Sequence, residues 1–111
     1  MKKNYSEAVK WLKKAANQNY SLAQKNLGVM YLNGLGIEKD YSEAMNWFKK
    51  AAEQGNSEAL RLIGLMYYKG WGVNKDYSQA FDYFKKSADT GNNFAKDLLG
   101  YFYARGFGVE S

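Results

Sequence analysis

The 111-residue chain contains no cysteine, no histidine and no proline. Without cysteine there is neither a disulfide framework nor a thiolate metal site, although this alone does not fix a compartment. Without histidine the chain lacks the commonest general base and the commonest metal ligand. Without proline, nothing in the chain forces a helix to break. Long apolar runs are missing as well: no stretch approaches the roughly 18 to 20 residues that a membrane span needs. "MKKN" resembles the start of a secretory signal, but the charged, amphipathic "YSEAVKWLKKAANQ" follows it, so no signal core is present. The expectation is a soluble chain, cytoplasmic, or secreted or periplasmic if a signal has been removed.

What remains is ordered in character. Hydrophobic residues make up 46% of the chain, aromatics 17% and charged residues 24%, which is not a disordered composition. The length suits one modest domain over residues 1–111 with a continuous core. Tyrosine, with 10 copies, is the commonest aromatic and suits a core with wet edges. The net charge of +5 is spread as a weak gradient, without a concentrated basic patch.

Internal repetition dominates. Units of about 36 residues span 5–40, 41–76 and 77–111, and the first two agree at 19 of 36 positions. Each unit reads as two helices. In the first helix of the middle unit, Ala44, Trp47, Phe48 and Ala51 recur at helical spacing and form one apolar face. Asp40 with Glu43, Asp76 with Gln79 and Asn4 with Glu7 read as capping boxes at the starts of these helices. Gly55, Gly91 and Asn19 stand where a left-handed cap would end them. In the second helix, Ala59, Leu62, Ile63, Met66 and Tyr67 mark the buried side. Gly28, Gly64 and Gly100 recur mid-helix at a cost of up to about 1 kcal/mol each relative to Ala. Their recurrence predicts close helix–helix approach beneath an aromatic ring. Six helices are expected, near 5–18, 21–33, 41–54, 57–69, 77–90 and 93–105. Short loops make neighbours antiparallel, and stacked pairs give an all-α solenoid.

Enzymatic readings find little support. "GLGIEK" and "GWGVNK" superficially resemble phosphate-binding loops, but they lack the G-K-[ST] ending and a preceding strand. The carboxylates Glu7, Glu43, Asp40 and Asp76 sit at helix starts as caps, and Ser42 and Ser78 have no base beside them in the pattern. No cofactor is implied.

The residues "AQKNLGVMYLNGLGIEKDYSEAMNWFKKAAEQG" (23–55) and "ALRLIGLMYYKGWGVNKDYSQAFDYFKKSADTG" (59–91) resemble the Sel1-like repeat family, a relative of tetratricopeptide repeats. Partial matches at 5–19 and 95–109 extend the resemblance over nearly the whole chain. The resemblance implies a tetratricopeptide-like right-handed superhelix of antiparallel helix pairs. It also implies a non-enzymatic scaffold that binds a protein or peptide. In the family the "LG..Y" helix opens a unit, so both ends of this chain are expected to expose surfaces able to stack on further copies. Other roles in the family include bacterial immunity-type and cell-envelope proteins. A cysteine-rich branch is linked to β-lactam or peptidoglycan chemistry, from which the absence of cysteine separates this chain.

By likeness to tetratricopeptide arrays, the "LG..Y" helices should line a concave face. The outward positions carried over are Leu22, Lys25, Val29, Leu32 and Asn33, then Glu58, Arg61, Leu65, Tyr68 and Lys69, then Phe94, Asp97, Tyr101, Ala104 and Arg105. They vary between repeats while Ala23/Ala59/Ala95, Gly28/Gly64/Gly100 and Tyr31/Tyr67/Tyr103 stay fixed. Variation marks positions released from packing. Free drift on a solvated face is the plain explanation. The functional one is a groove in which Tyr68, Tyr101, Arg61, Lys69 and Arg105 grip a partner, since Tyr and Arg are enriched among interface anchors.

The pairs Lys13–Lys14, Lys49–Lys50 and Lys85–Lys86 form a ladder. Without aromatic interleaving they read as a solvated face favoured by the helix dipole, and neither nucleic acid nor a membrane is expected as a partner. Leu35, Trp71 and Phe107 each stand inside a G-x-G loop. There they either cover a seam between helices or form an apolar edge strip for a partner. The following Ile37, Val73 and Val109 are expected to dock inward.

Overall fold

Asparagine or aspartate opens five of the six helices, and the same local chemistry repeats at each. In the computed structural model, which describes residues 4–108, the helices are α1 (Tyr5–Asn17), α2 (Ser21–Asn33), α3 (Tyr41–Glu53), α4 (Ser57–Lys69), α5 (Tyr77–Asp89) and α6 (Asn93–Arg105). No strand occurs among the described residues. The chain divides into two compact units, residues 1–54 with α1, α2 and α3 and residues 55–111 with α4, α5 and α6. In the first, α2 packs against both α1 and α3; in the second, α5 packs against both α4 and α6.

The expected N-caps form. The side chains of Asn4, Asp40 and Asp76 accept from the amides of Glu7, Glu43 and Gln79 at 3.0, 3.1 and 3.0 Å. Each satisfies one of the unpaired amides at a helix start. The reciprocal half of the capping box is a correction. The Asp40 amide donates to the Tyr31 carbonyl at 3.0 Å, and the Asp76 amide to the Tyr67 carbonyl at 3.0 Å. A tertiary bond between successive helices thus takes the donor that the Glu43 or Gln79 side chain was expected to receive. α1, α3 and α5 also end one residue earlier than expected, at Asn17, Glu53 and Asp89, with Gln18, Gln54 and Thr90 as C-caps and Asn19, Gly55 and Gly91 behind them at positive φ.

The mid-helix glycines do what their recurrence predicts. A Cβ on Gly28 would lie 2.5 Å from Phe48 Cε1, and one on Gly64 would lie 2.6 Å from Phe84 Cε1. A helical Gly is therefore retained so that α3 can approach α2, and α5 approach α4, within ring contact. Phe48 and Phe84 are fully buried by this arrangement.

The two cores differ in composition. In the first unit, Val9, Ala16, Ala23, Leu27 and Met30 form an aliphatic cluster, with Leu12, Tyr31, Leu35, Ile37 and Trp47 packed on it. Beside it lies a buried polar junction. Gln24, buried, donates to the Ala16 carbonyl at 3.3 Å and to Asn19 Oδ1 at 3.1 Å, while Gln54 Nε2 donates to Gln24 Oε1 at 2.9 Å. In the second unit, Ala80, Phe84 and Phe102 form the centre of an aromatic cluster completed by Tyr68, Tyr77 and Phe107. Phe84 and Phe102 meet edge to face at 5.2 Å and 88°, a preferred aromatic geometry. The buried Ser87 hydroxyl donates to the Ser57 carbonyl at 2.6 Å, tying α5 to α4.

Candidate functional site

In the second unit the outward residues of α4 and α6 come together on one surface. The Tyr68 hydroxyl adjoins that of Tyr101, and the Tyr68 ring packs 5.4 Å from buried Phe102. Arg105 lies over the Tyr101 ring at 5.3 Å and Lys69 over the Tyr68 ring at 5.6 Å. Arg61 lies over the Phe94 ring at 5.5 Å, and its Nε is buried without a hydrogen-bond partner. Hydrogen bonding of the Tyr68 proton toward the Tyr101 oxygen, then burial, then the neighbouring Tyr101 and Tyr77, raise the Tyr68 hydroxyl above the ordinary tyrosine pKa, against a smaller lowering by Arg105. Two tyrosines, two arginines and a lysine thus make a cation-capped aromatic surface. Phe94 is 70% exposed and Tyr101 41% exposed on it.

The other positions divide. Asp97 is exposed on α6, and Leu65 is half-buried against the aromatic cluster. In the first unit, Lys25 and Val29 are half-buried on α2. Leu32, expected to face outward, is 7% exposed and belongs to the buried set, so it is corrected to a packing residue. Variation alone did not separate an exposed position from a core position that tolerates Leu, Tyr or Ala.

The G-x-G residues have a local role. The amides of Leu35, Trp71 and Phe107 donate to the carbonyls of Met30, Met66 and Phe102 at 3.0, 2.9 and 2.9 Å. This is the long hydrogen bond of a Schellman helix end, in which the residue after the left-handed glycine folds back onto the last turn. Leu35 packs on the aliphatic cluster and Phe107 lies 4.6 Å from Tyr77. All three side chains are half-buried, so they do not stand out as an open apolar row. The second glycine of each loop answers a further demand. Gly36 and Gly108 have φ of 71° and 66°, and a Cβ there would run into the carbonyls of Tyr5 and Tyr77 respectively. Ile37 and Val73 are half-buried, and Val109 lies outside the described residues.

The lysine ladder is also more specific than its spacing suggested. Lys14, Lys50 and Lys86 lie over the rings of Trp11, Trp47 and Tyr83 at 4.6, 4.4 and 5.3 Å. Aromatics therefore do accompany the ladder, three residues before each cation, and each ring is covered by its own lysine. Among the described residues no cluster of three carboxylates could hold a metal ion, and no helix is long and apolar enough to cross a membrane.

Comparison with known proteins places these features. The Sel1 repeat pattern matches residues 1–20, 21–56, 57–92 and 95–111. Among solved structures, a protective antigen of uropathogenic Escherichia coli with this fold is 45% identical over 96% of the chain, with a TM-score of 0.92. A Sel1 repeat protein from Oxalobacter formigenes is 39% identical over 99% of the chain, with a TM-score of 0.87. The Helicobacter pylori cysteine-rich protein B is 30% identical over 82% of the chain, with a TM-score of 0.76. The chain spans 23%, 45% and 68% of these three proteins. No curated protein matches. Proteins of this kind are generally non-catalytic repeat scaffolds that bind other proteins. With the pattern matched along almost its whole length, and 30% to 45% identity to solved examples of the fold, the chain belongs to the Sel1 repeat family.

Proposed function

We propose that the protein is a non-enzymatic interaction module that binds a protein or peptide through the α4/α6 surface of its second unit. The supporting observation is the neighbouring Tyr68 and Tyr101 pair, with Arg105 and Lys69 held over its two rings. Rings already packed on a rigid cluster lose little freedom when a partner covers them, and cations held beside them can take a partner's carboxylates or carbonyls. Arg61 adds a guanidinium whose buried Nε lacks an internal acceptor, beside an exposed Phe94 ring. Lys25 and Val29, half-buried on α2, are assigned a lesser part.

The test is affinity capture with the immobilised protein beside an Arg61→Glu/Tyr68→Ala variant. The expected result is loss of the partner by the variant at an unchanged helical circular dichroism spectrum. Equal recovery by both proteins removes this surface as the site.

A further inference from the structure

The first unit buries a polar side chain at a place where its repeat does not need one. Gln24 is 2% exposed, and the equivalent position in the second unit is the buried Leu60. A second departure adjoins it. Asn19 takes the left-handed conformation, with φ of 69°, at the turn where the other repeats place Gly55 and Gly91. Glycine adopts that conformation freely, whereas asparagine only tolerates it. Both departures serve one junction, because the side-chain nitrogens of Gln24 and Gln54 donate to Asn19 Oδ1 at 3.1 and 3.2 Å. The second unit folds with Leu60 and Gly91 at these places, so folding alone does not call for the amides.

The junction opens onto a hollow. Between the ends of α1 and α3, Asn17, Asn19, Gln24 and Gln54 line a space of about 500 Å³ together with Trp47, Lys50 and Glu53. Gln24 is satisfied: its nitrogen also donates to the Ala16 carbonyl, and its oxygen accepts from Gln54. Gln54 Nε2 uses its hydrogens on Asn19 and Gln24. Among the described residues this leaves the Asn19 Nδ2 hydrogens as donors and Gln54 Oε1 as an acceptor, with the Asn17 carboxamide beside them.

The walls discriminate between ligands. An anion is disfavoured, because α1 and α3 both end here, at Asn17 and Glu53, and helix C-termini carry partial negative charge. A metal ion would find one carboxylate, Glu53. A sugar ring finds its stacking platform taken, since Trp47 packs on the aliphatic core and Lys50 lies over its ring at 4.4 Å. The hollow offers neutral donors next to neutral acceptors, which is the complement of an amide group.

We infer that this hollow of the first unit is a binding site of its own, for the main chain of an extended peptide segment. Asn19 Nδ2 donates to a peptide carbonyl and Gln54 Oε1 accepts from a peptide N–H. Asn17 offers a further donor and acceptor. Lys50 and Glu53, opposite in charge, leave the site without a demand for either sign on the peptide. Main-chain recognition of this kind supplies affinity without fixing the side chains. A partner's Gln or Asn side chain carries the same amide chemistry, and the experiment separates the two sources.

The experiment is a nuclear magnetic resonance titration with acetyl-tetraalanine methylamide up to ~10 mM, a range that captures weak binding. The expected result is saturable movement of the Asn19 and Gln54 side-chain amide signals, with those of Asn33 and Asn74 unmoved. The same peptide methylated on every backbone nitrogen has no N–H for Gln54, and should bind roughly threefold to tenfold more weakly, the worth of one hydrogen bond. Propionamide, an amide without a peptide chain, should leave the signals in place. Asn19→Gly installs the residue that makes the same turn in the other repeats, so the helical spectrum stays and binding is lost. Gln24→Leu installs the residue of the second unit and weakens binding by releasing Asn19 and Gln54. Unmoved amide signals, equal binding by the methylated peptide, or binding untouched by Asn19→Gly would each overturn the inference. Movement as large with propionamide would overturn the main-chain assignment in favour of a side-chain amide. Movement confined to Tyr68 and Tyr101 would overturn it too, while leaving the α4/α6 surface standing.

Discussion

The two units share one helix–helix contact and fill the space around it differently. Both set a helical glycine under a phenylalanine, Gly28 under Phe48 and Gly64 under Phe84. Around that contact the first unit packs Val9, Leu27 and Met30 and buries an amide junction at Gln24, whereas the second packs Phe102, Tyr77, Tyr68 and Phe107. Aliphatic packing needs nothing at its rim. Aromatic packing brings hydroxyls to the rim, and there Tyr68 and Tyr101 pair beneath Lys69 and Arg105. The candidate surface thus draws both on the aromatic core of the second unit and on its two helices of the second type, α4 and α6, where the first unit has only α2.

The largest effect should come from the contact the two units share. Phe48→Ala and Phe84→Ala each remove a fully buried ring, and each should cost about 3–5 kcal/mol. Thermal denaturation measures this. If the units are built on one template, the two losses agree within about 1 kcal/mol. A much larger loss for Phe84 would mean that its edge-to-face contact with Phe102 carries stability the first unit does not need.

Next come the glycines, where the comparison predicts a change of sign. Gly28→Ala and Gly64→Ala press a methyl group against a buried ring and a carbonyl, and should destabilise by about 1–3 kcal/mol. Gly100→Ala meets nothing, so only the helix propensity of Ala remains, and the protein should gain roughly 0.5–1 kcal/mol. Chemical denaturation of the three variants checks the reversal. A loss at Gly100 would mean that its face is occupied within one copy.

The glycine result also shows what was legible from sequence. The fixed spacing of Gly28, Gly64 and Gly100 announced close approach under a ring, because only packing against a partner explains a repeated helix-weakening residue. The helix limits followed from caps, which are local. Other features depend on residues distant in sequence, so no local pattern carried them. The Tyr31 and Tyr67 carbonyls take the Asp40 and Asp76 amides, and the Tyr5 and Tyr77 backbone crowds Gly36 and Gly108. Leu32 was misplaced because repeat-to-repeat variation reports tolerance, and a buried position can be tolerant too. The pairing of Tyr68 with Tyr101, on helices separated by all of α5, was visible only as two tyrosines on a varying face.

The smallest effect tests the rims of the two units against each other. Tyr68 is raised first by the hydrogen bonding of its proton toward Tyr101, whereas Tyr31 in the first unit is raised first by burial and then by the carboxylates of Glu43 and Asp40. In both cases the folded state holds the proton more tightly than the unfolded chain, whose tyrosines titrate near 10. Below about pH 10 both states are protonated and the advantage is fully present; as pH rises through the folded value it is lost. Stability should therefore stay level in mildly alkaline buffer and decline beyond about pH 10. Tyr101→Phe removes the leading cause at Tyr68, so the ultraviolet titration of Tyr68 should move back toward the ordinary value. Glu43→Gln should move Tyr31 less, because burial, its leading cause, is untouched. Equal shifts in the two variants would mean that the Tyr68–Tyr101 bond is no stronger a constraint than a neighbouring charge, and that the rim of the second unit is not pre-arranged for a partner.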